Sequence, residues 1–129
     1  MSGKIDLSAL YAKPEQSELE TAKYFADLGK DIRFIRPSMT PNQHTPDIVM
    51  DGVEWEIKCP EGNSKRTIEN NIRKAVKQSK NIIFDLRKTK LAEKPCIMQL
   101  EREFNSRVYI KRIYVICKNG NLHKYSRIH

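Results

Sequence analysis

Apolar residues recur along this chain at two different periods. Between Glu15 and Leu28 they fall at Ala22, Phe25 and Ala26, with Leu19 and Leu28 at the margins, a spacing that draws one stripe along an α-helix. Gly29 follows as a natural C-terminal cap. Asp31 to Arg36 alternates instead, Ile32 and Phe34 against Arg33 and Ile35, which is the period of a strand. Residues 37–46 hold three prolines with Ser, Thr and Asn, the chemistry of a loop. Residues 47–59 then read as two short strands around an Asp51-Gly52 turn. A helix is predicted over 65–80, with Ile68, Ile72, Ala75, Val76 and Ser79 as its inward stripe and Ser64 as N-cap. The apolar run of residues 81–86 fits a strand buried on both faces. A third helix is expected over 94–105 with Pro95 in its first turn. A hairpin closes the chain, 112–117 and 122–127 about Asn119-Gly120. Residues 1–14 show no period and contain Pro14. They are expected to form an irregular arm, from which Ile5, Leu7, Leu10 and Tyr11 could dock on the body.

The order is therefore α-β-β-β-α-β-α-β-β, an α/β fold with a mixed central sheet. The 129 residues suit one domain with a substantial core, divided into an arm (1–14), a core (15–87) and a C-terminal helix and hairpin (88–129). No internal repeat, linker or low-complexity tract interrupts it. No apolar run approaches the ~20 residues of a membrane-crossing helix. The opening Met-Ser-Gly-Lys-Ile-Asp contains no apolar segment of a signal peptide. The expectation is a chain without a membrane anchor, acting in the cytoplasm, either free-standing or excised from a larger secreted protein.

Charge narrows the partner. A formal net charge of +8 and a pI near 9.5 favour a polyanion, nucleic acid ahead of an anionic membrane surface. Cys59, Cys96 and Cys117 are far apart and form no CxxC pair, so free thiols are expected rather than a zinc site. His44, His123 and His129 lie at no ligand spacing. His44 sits in the loop before Asp47, where it could touch substrate.

The hairpin holds the chemistry. Glu56 and Lys58 are two residues apart on one strand and so point to the same face. An in-register hairpin brings Asp47 toward them. Two carboxylates converging beside a lysine can hold Mg²⁺ or Mn²⁺, hard cations that take oxygen donors, and can support phosphodiester cleavage by a metal-activated water. The bland reading is a solvated hairpin face with a Glu–Lys pair of little energetic worth.

Pro46-Asp47 followed by Glu56-Ile57-Lys58, within the order α-β-β-β-α-β over residues 15–86, resembles the PD-(D/E)XK nuclease superfamily, whose fold is restriction-endonuclease-like. Trp55-Glu56-Ile57-Lys58, Lys65-x-Thr67-Ile68-x-Asn70 and Gln78-Ser79-x-Asn81-Ile82-Ile83-x-Asp85-Leu86 resemble, more specifically, the C-terminal nuclease domains of contact-dependent growth inhibition toxins (CdiA-CT), a group that includes tRNA-cleaving domains. This likeness spans residues 18–87. It implies Asp47, Glu56 and the Ile57 carbonyl as metal ligands, Lys58 as the residue that orients or activates the water, and Gln78 at the edge of the catalytic site. It also implies an acid on the first helix. Glu18 shares the stripe of Ala22 and Phe25 whereas Glu20 points away, so Glu18 is the choice. Thr67 and Asn70 would contact phosphate, with Lys65, Arg73 and His44 completing the nucleic-acid contacts.

Three functions are compatible with these residues. The first is a metal-dependent nuclease toxin cutting tRNA or other RNA, with a cognate immunity protein as partner. The second is a DNA endonuclease of the same fold, and the third a non-catalytic basic nucleic-acid-binding protein.

Overall fold

The computed structural model of the chain describes residues 2–127; His129, among the histidines considered above, lies outside them. Ten elements follow one another: β1 (Ile5–Asp6), α1 (Gln16–Asp27), β2 (Ile32–Phe34), β3 (Ile48–Met50), β4 (Val53–Lys58), α2 (Thr67–Ala75), β5 (Asn81–Asp85), α3 (Glu93–Ser106), β6 (Arg112–Ile116) and β7 (Leu122–Ser126). The strands form one seven-stranded sheet in chain order. β1–β2, β4–β5 and β5–β6 are parallel, and each of these pairs is joined through a helix, since parallel neighbours need a crossover. β2–β3, β3–β4 and β6–β7 are antiparallel. Asp51 and Gly52, both at positive φ (54° and 76°), make the tight β3–β4 turn, where such values match the strand twist.

The helices cover both faces. Ile82 and Phe84 of β5 pack with Ile68 and Ile72 of α2 and with Leu100 and Phe104 of α3. Ile83, between them in sequence, packs on the opposite side with Phe25 of α1, Trp55 and Ile116. Every residue of β5 is buried, as an apolar run without alternation requires. Trp55 is anchored at its polar end, its Nε1–H donating to the Met50 carbonyl at 3.0 Å.

Two boundaries differ from the sequence expectation. The N-terminal arm is not wholly irregular, because Ile5 and Asp6 add a short parallel strand beside Ile32 and Arg33. Two residues are too few to show periodicity. The second helix is shorter than 65–80, and Ser64 does not cap it. Ser64 Oγ accepts from the Arg66 N–H (3.2 Å), while its N–H donates to Thr67 Oγ1 (3.2 Å). That local hydrogen bonding competes with a helical turn.

One buried polar cluster ties α1 to the C-terminal end of β5. Arg87 donates through Nε and an Nη to the two Asp85 oxygens (3.0 and 2.8 Å), and the Thr21 hydroxyl donates to Asp85 Oδ2 at 2.6 Å. Burial by itself would raise the Asp85 pKa. The hydrogen bonds from Arg87 and Thr21 outweigh it and hold the group below its ordinary value.

The expected outcome is that Ile83→Ala lowers unfolding free energy by about 2–5 kcal/mol in urea titrations, the usual cost of truncating a fully buried Ile. The depressed Asp85 pKa contributes stability that is present above the unfolded value near 4. It is lost as pH falls through the lower folded value. Thr21→Val should shift the acid-unfolding midpoint of circular dichroism upward.

Candidate active site

Pro46 precedes β3, and its ring leaves the strand without a backbone donor at that point. The N–H of Asp47 still pairs with the Trp55 carbonyl (2.9 Å). The next free donor on β4, the Ile57 N–H, is taken by the Asp47 side chain, with Oδ2 at 2.8 Å. The Asp47 carboxylate is thereby fixed against β4 between Glu56 and Lys58. Glu56, flanked by Trp55 and Ile57 that face α1, points to the α2 side of the sheet. It is nearly enclosed, and Lys58 Nζ lies 3.3 Å from its Oε2. Its other oxygen, Oε1, is buried without a hydrogen-bond partner, alone in this among the buried side-chain atoms of the described residues.

These groups line one cleft of about 610 Å³, together with Glu15, Glu18, Asn71, Lys74 and Gln78. Glu18, in the first turn of α1, meets the hairpin from the other helix layer. The electrostatics follow from crowding acids in a poorly hydrated place. Burial and the adjacent Asp47 push the Glu56 pKa up to about 8, with Lys58 only partly offsetting them. Glu18 is pushed up to about 7 by burial, then by Asp47 and Glu15. Asp47 is raised by burial despite its hydrogen bond from the Ile57 N–H. Near neutral pH the site therefore carries acidic protons that a positive charge would displace.

The donors suit a hard cation. Asp47 and Glu56 offer carboxylate oxygens, the Ile57 carbonyl lies beside them, and the orphaned Glu56 Oε1 lacks the partner that a buried oxygen ordinarily finds. Among the described residues no three Asp, Glu, His or Cys side chains gather into a metal cage.

Of the sequence candidates, Glu18, Asp47, Glu56, Ile57, Lys58 and Gln78 are brought to one cleft. The proposed nucleic-acid contacts are not. Thr67 is buried and its hydroxyl accepts the Ser64 N–H. Gly62 approaches it so closely that a Cβ there would lie 2.5 Å from Thr67 Oγ1. Thr67 therefore shapes the loop and offers no surface to phosphate. Asn70 and Arg73 lie on the outer side of α2, Arg73 paired with Glu69 at 3.3 Å. Lys65 and His44 are exposed in loops outside the cleft wall. Asn71 and Lys74 do line it. Residues 71, 74 and 78 repeat at helical spacing, a signal that would have identified them once Gln78 was chosen. Cys59 borders the cleft as a thiol whose pKa is raised by burial, and all three cysteines are unpaired.

A family model described as the contact-dependent growth inhibition CdiA C-terminal domain matches residues 43–122. The chain belongs to this family. The match contains the hairpin, α2 and the cleft residues except those of α1. The CdiA C-terminal domain also resembles a solved structure titled "CdiA-CT/CdiI toxin and immunity complex from Burkholderia pseudomallei", with a TM-score of 0.66 at 19% identity over 97% of this chain and 100% of that one. The two share a fold. No curated protein matches the chain. Family membership makes this a toxin domain, of a kind that is frequently a nuclease. Among the described residues no helix is long and apolar enough to cross a membrane.

Raised carboxyl pKa values carry a sign. Between the ordinary value of 4.5 and about 8 the folded chain retains a proton on Glu56 that the unfolded chain releases, so stability falls as pH rises through that window. Glu56→Gln should raise the thermal midpoint at pH 8, the unfolding free energy gaining on the order of 1 kcal/mol, and should flatten the decline of that midpoint from pH 5 to 8. Millimolar Mg²⁺ should raise the midpoint of the wild-type chain and leave that of Glu56→Gln unmoved.

Proposed function

We propose that this CdiA C-terminal domain is a metal-dependent nuclease with a PD-(D/E)XK-type centre, a toxin that cuts RNA, with tRNA the favoured class. The observation that carries this reading is the buried Glu56 carboxyl, whose Oε1 meets no donor, crowded by Asp47 and paired with Lys58. A solvated hairpin face would have no such atom. Nor would a purely structural ion pair, since an oxygen that is buried and unsatisfied costs stability and persists where function needs it.

Asp47, Glu56 and the Ile57 carbonyl would hold the ion. When bound, its chemistry is to make a water more acidic and to offset charge on the phosphate. Lys58 is held by Glu56 with its ammonium toward the cleft. There it can orient the attacking hydroxyl and stabilise negative charge building on the phosphate oxygens. Glu18, with a pKa of about 7, is poised to take up or release a proton near neutral pH. Asn71 and Lys74 of α2, and Gln78 in the turn that follows it, offer donors along the cleft wall for the neighbouring backbone. The +8 charge supports a polyanionic substrate, and the likeness to a toxin–immunity complex supports neutralisation by a cognate immunity protein.

Incubation of the purified chain with total tRNA and with plasmid DNA, in Mg²⁺ and in chelator, tests the reading. The expected outcome is metal-dependent loss of tRNA with DNA intact. Asp47→Asn, Glu56→Gln and Lys58→Ala should each lower the cleavage rate by roughly a hundredfold or more while the fold persists. DNA cleavage with intact tRNA would move the activity to a DNA endonuclease. Toxicity that survives all three substitutions would exclude the nuclease.

A further inference from the structure

A second, smaller cavity opens directly off the catalytic cleft and shares Glu18 and Asp47 with it. Its remaining walls are mostly apolar, with Lys13 and Thr45 the other polar side chains among them. Leu10 and Tyr11 of the N-terminal arm line it together with Phe34 and Met39. Tyr11 and Met39 are 71% and 83% exposed, so their apolar surface is open to an incoming group. The arm is held where it makes this wall. Arg36 donates to the Ala9 carbonyl (2.8 Å) and to the Tyr11 hydroxyl (3.0 Å), and its guanidinium lies 4.4 Å from the Tyr11 ring centroid. Such a stack fixes an aromatic face without burying it.

The occupant must lie within reach of a phosphate in the cleft and present an apolar, flat body to Tyr11 and Met39. It must also tolerate polar groups, Glu18 and Asp47, at its rim. A nucleobase meets all three conditions, because every base has a π-face and a hydrogen-bonding edge. The volume of about 250 Å³ falls just below the roughly 300 Å³ at which pockets for drug-sized molecules begin, and suits one base. A base stacked inside a duplex cannot enter it.

Resting on the nuclease reading above, we infer that this cavity receives the unpaired base of a nucleotide adjoining the scissile phosphate. The domain therefore acts on single-stranded, looped or extruded nucleotides rather than on the interior of a duplex. Tyr11 is the stacking platform and Met39 the opposing lip, both specificity-determining residues outside the group that carries the chemistry.

The test uses the full chain carrying Glu56→Gln, so that binding is read without cleavage. The probes are short single-stranded RNA and DNA oligonucleotides with one 2-aminopurine walked through each position. The expected result is quenching of the fluorescent base at one position. Adding Tyr11→Ala or Met39→Ala should abolish that quenching and weaken binding roughly tenfold. An abasic nucleotide at that position should weaken binding of the Tyr11-containing protein by the same factor and that of the Tyr11→Ala protein hardly at all. Absence of quenching at every position, or quenching unaffected by both substitutions, overturns the inference. Quenching with no cleavage by the wild-type chain keeps the pocket and removes the nuclease, whereas cleavage without quenching does the reverse.

Discussion

Every residue of the central strand Asn81–Asp85 is buried, so neither face of the sheet around it can be left to water. A helix layer is required on each side. α1 supplies one, over Ile83 and Trp55, while α2 and α3 supply the other, over Ile82 and Phe84. The N-terminal turn of α1 and the inner side of α2 then flank the end of β4, where β3 peels away at Pro46. The cleft occupies that junction. Its acids come from both helix-covered sides because the two-sided burial of β5 brings both layers to the same end of β4.

At this junction two buried acids are treated in opposite ways. Thr21, Asp85 and Arg87 form a buried cluster in which the carboxylate is fully hydrogen-bonded, and its pKa falls below the ordinary value. A short distance along the sheet, Glu56 is equally buried, and its pKa rises to about 8. The contrast lies in partners. Asp85 has a bidentate guanidinium and a hydroxyl, whereas Glu56 has one lysine, a neighbouring acid and an oxygen that meets no donor. Destabilising groups of this sort concentrate where chemistry is done.

Much of the architecture was legible in the residues. The helix of residues 16–27, the Asp51-Gly52 hairpin, the doubly buried strand and the closing hairpin each have a strong local signature of period or turn chemistry. The two-residue strand of the arm has none, and its pairing is decided by β2 alone. The second helix, Thr67–Ala75, is shorter at both ends than its periodicity implied; at its start, Ser64 and Thr67 hydrogen-bond to each other and to the intervening backbone. The same hydrogen bonds place Thr67, whose burial and whose acceptance of the Ser64 N–H are visible only in the fold.

By itself, the chain's sequence determined which residues could do chemistry and on which strand face they stand. The alternation of Trp55 and Ile57 with Glu56 and Lys58 is a property of β geometry, and Glu18 follows from helical period. Packing decided what those residues experience. Only the covering of β4 by α2 turns Glu56 from a solvated acid into a buried one with an unpartnered oxygen. Only the return of the arm along β2 sets Tyr11 beside Asp47. Local periodicity is dictated by backbone geometry over a few residues. Desolvation and convergence depend on separate elements of the chain meeting at one place, and no short-range pattern records that.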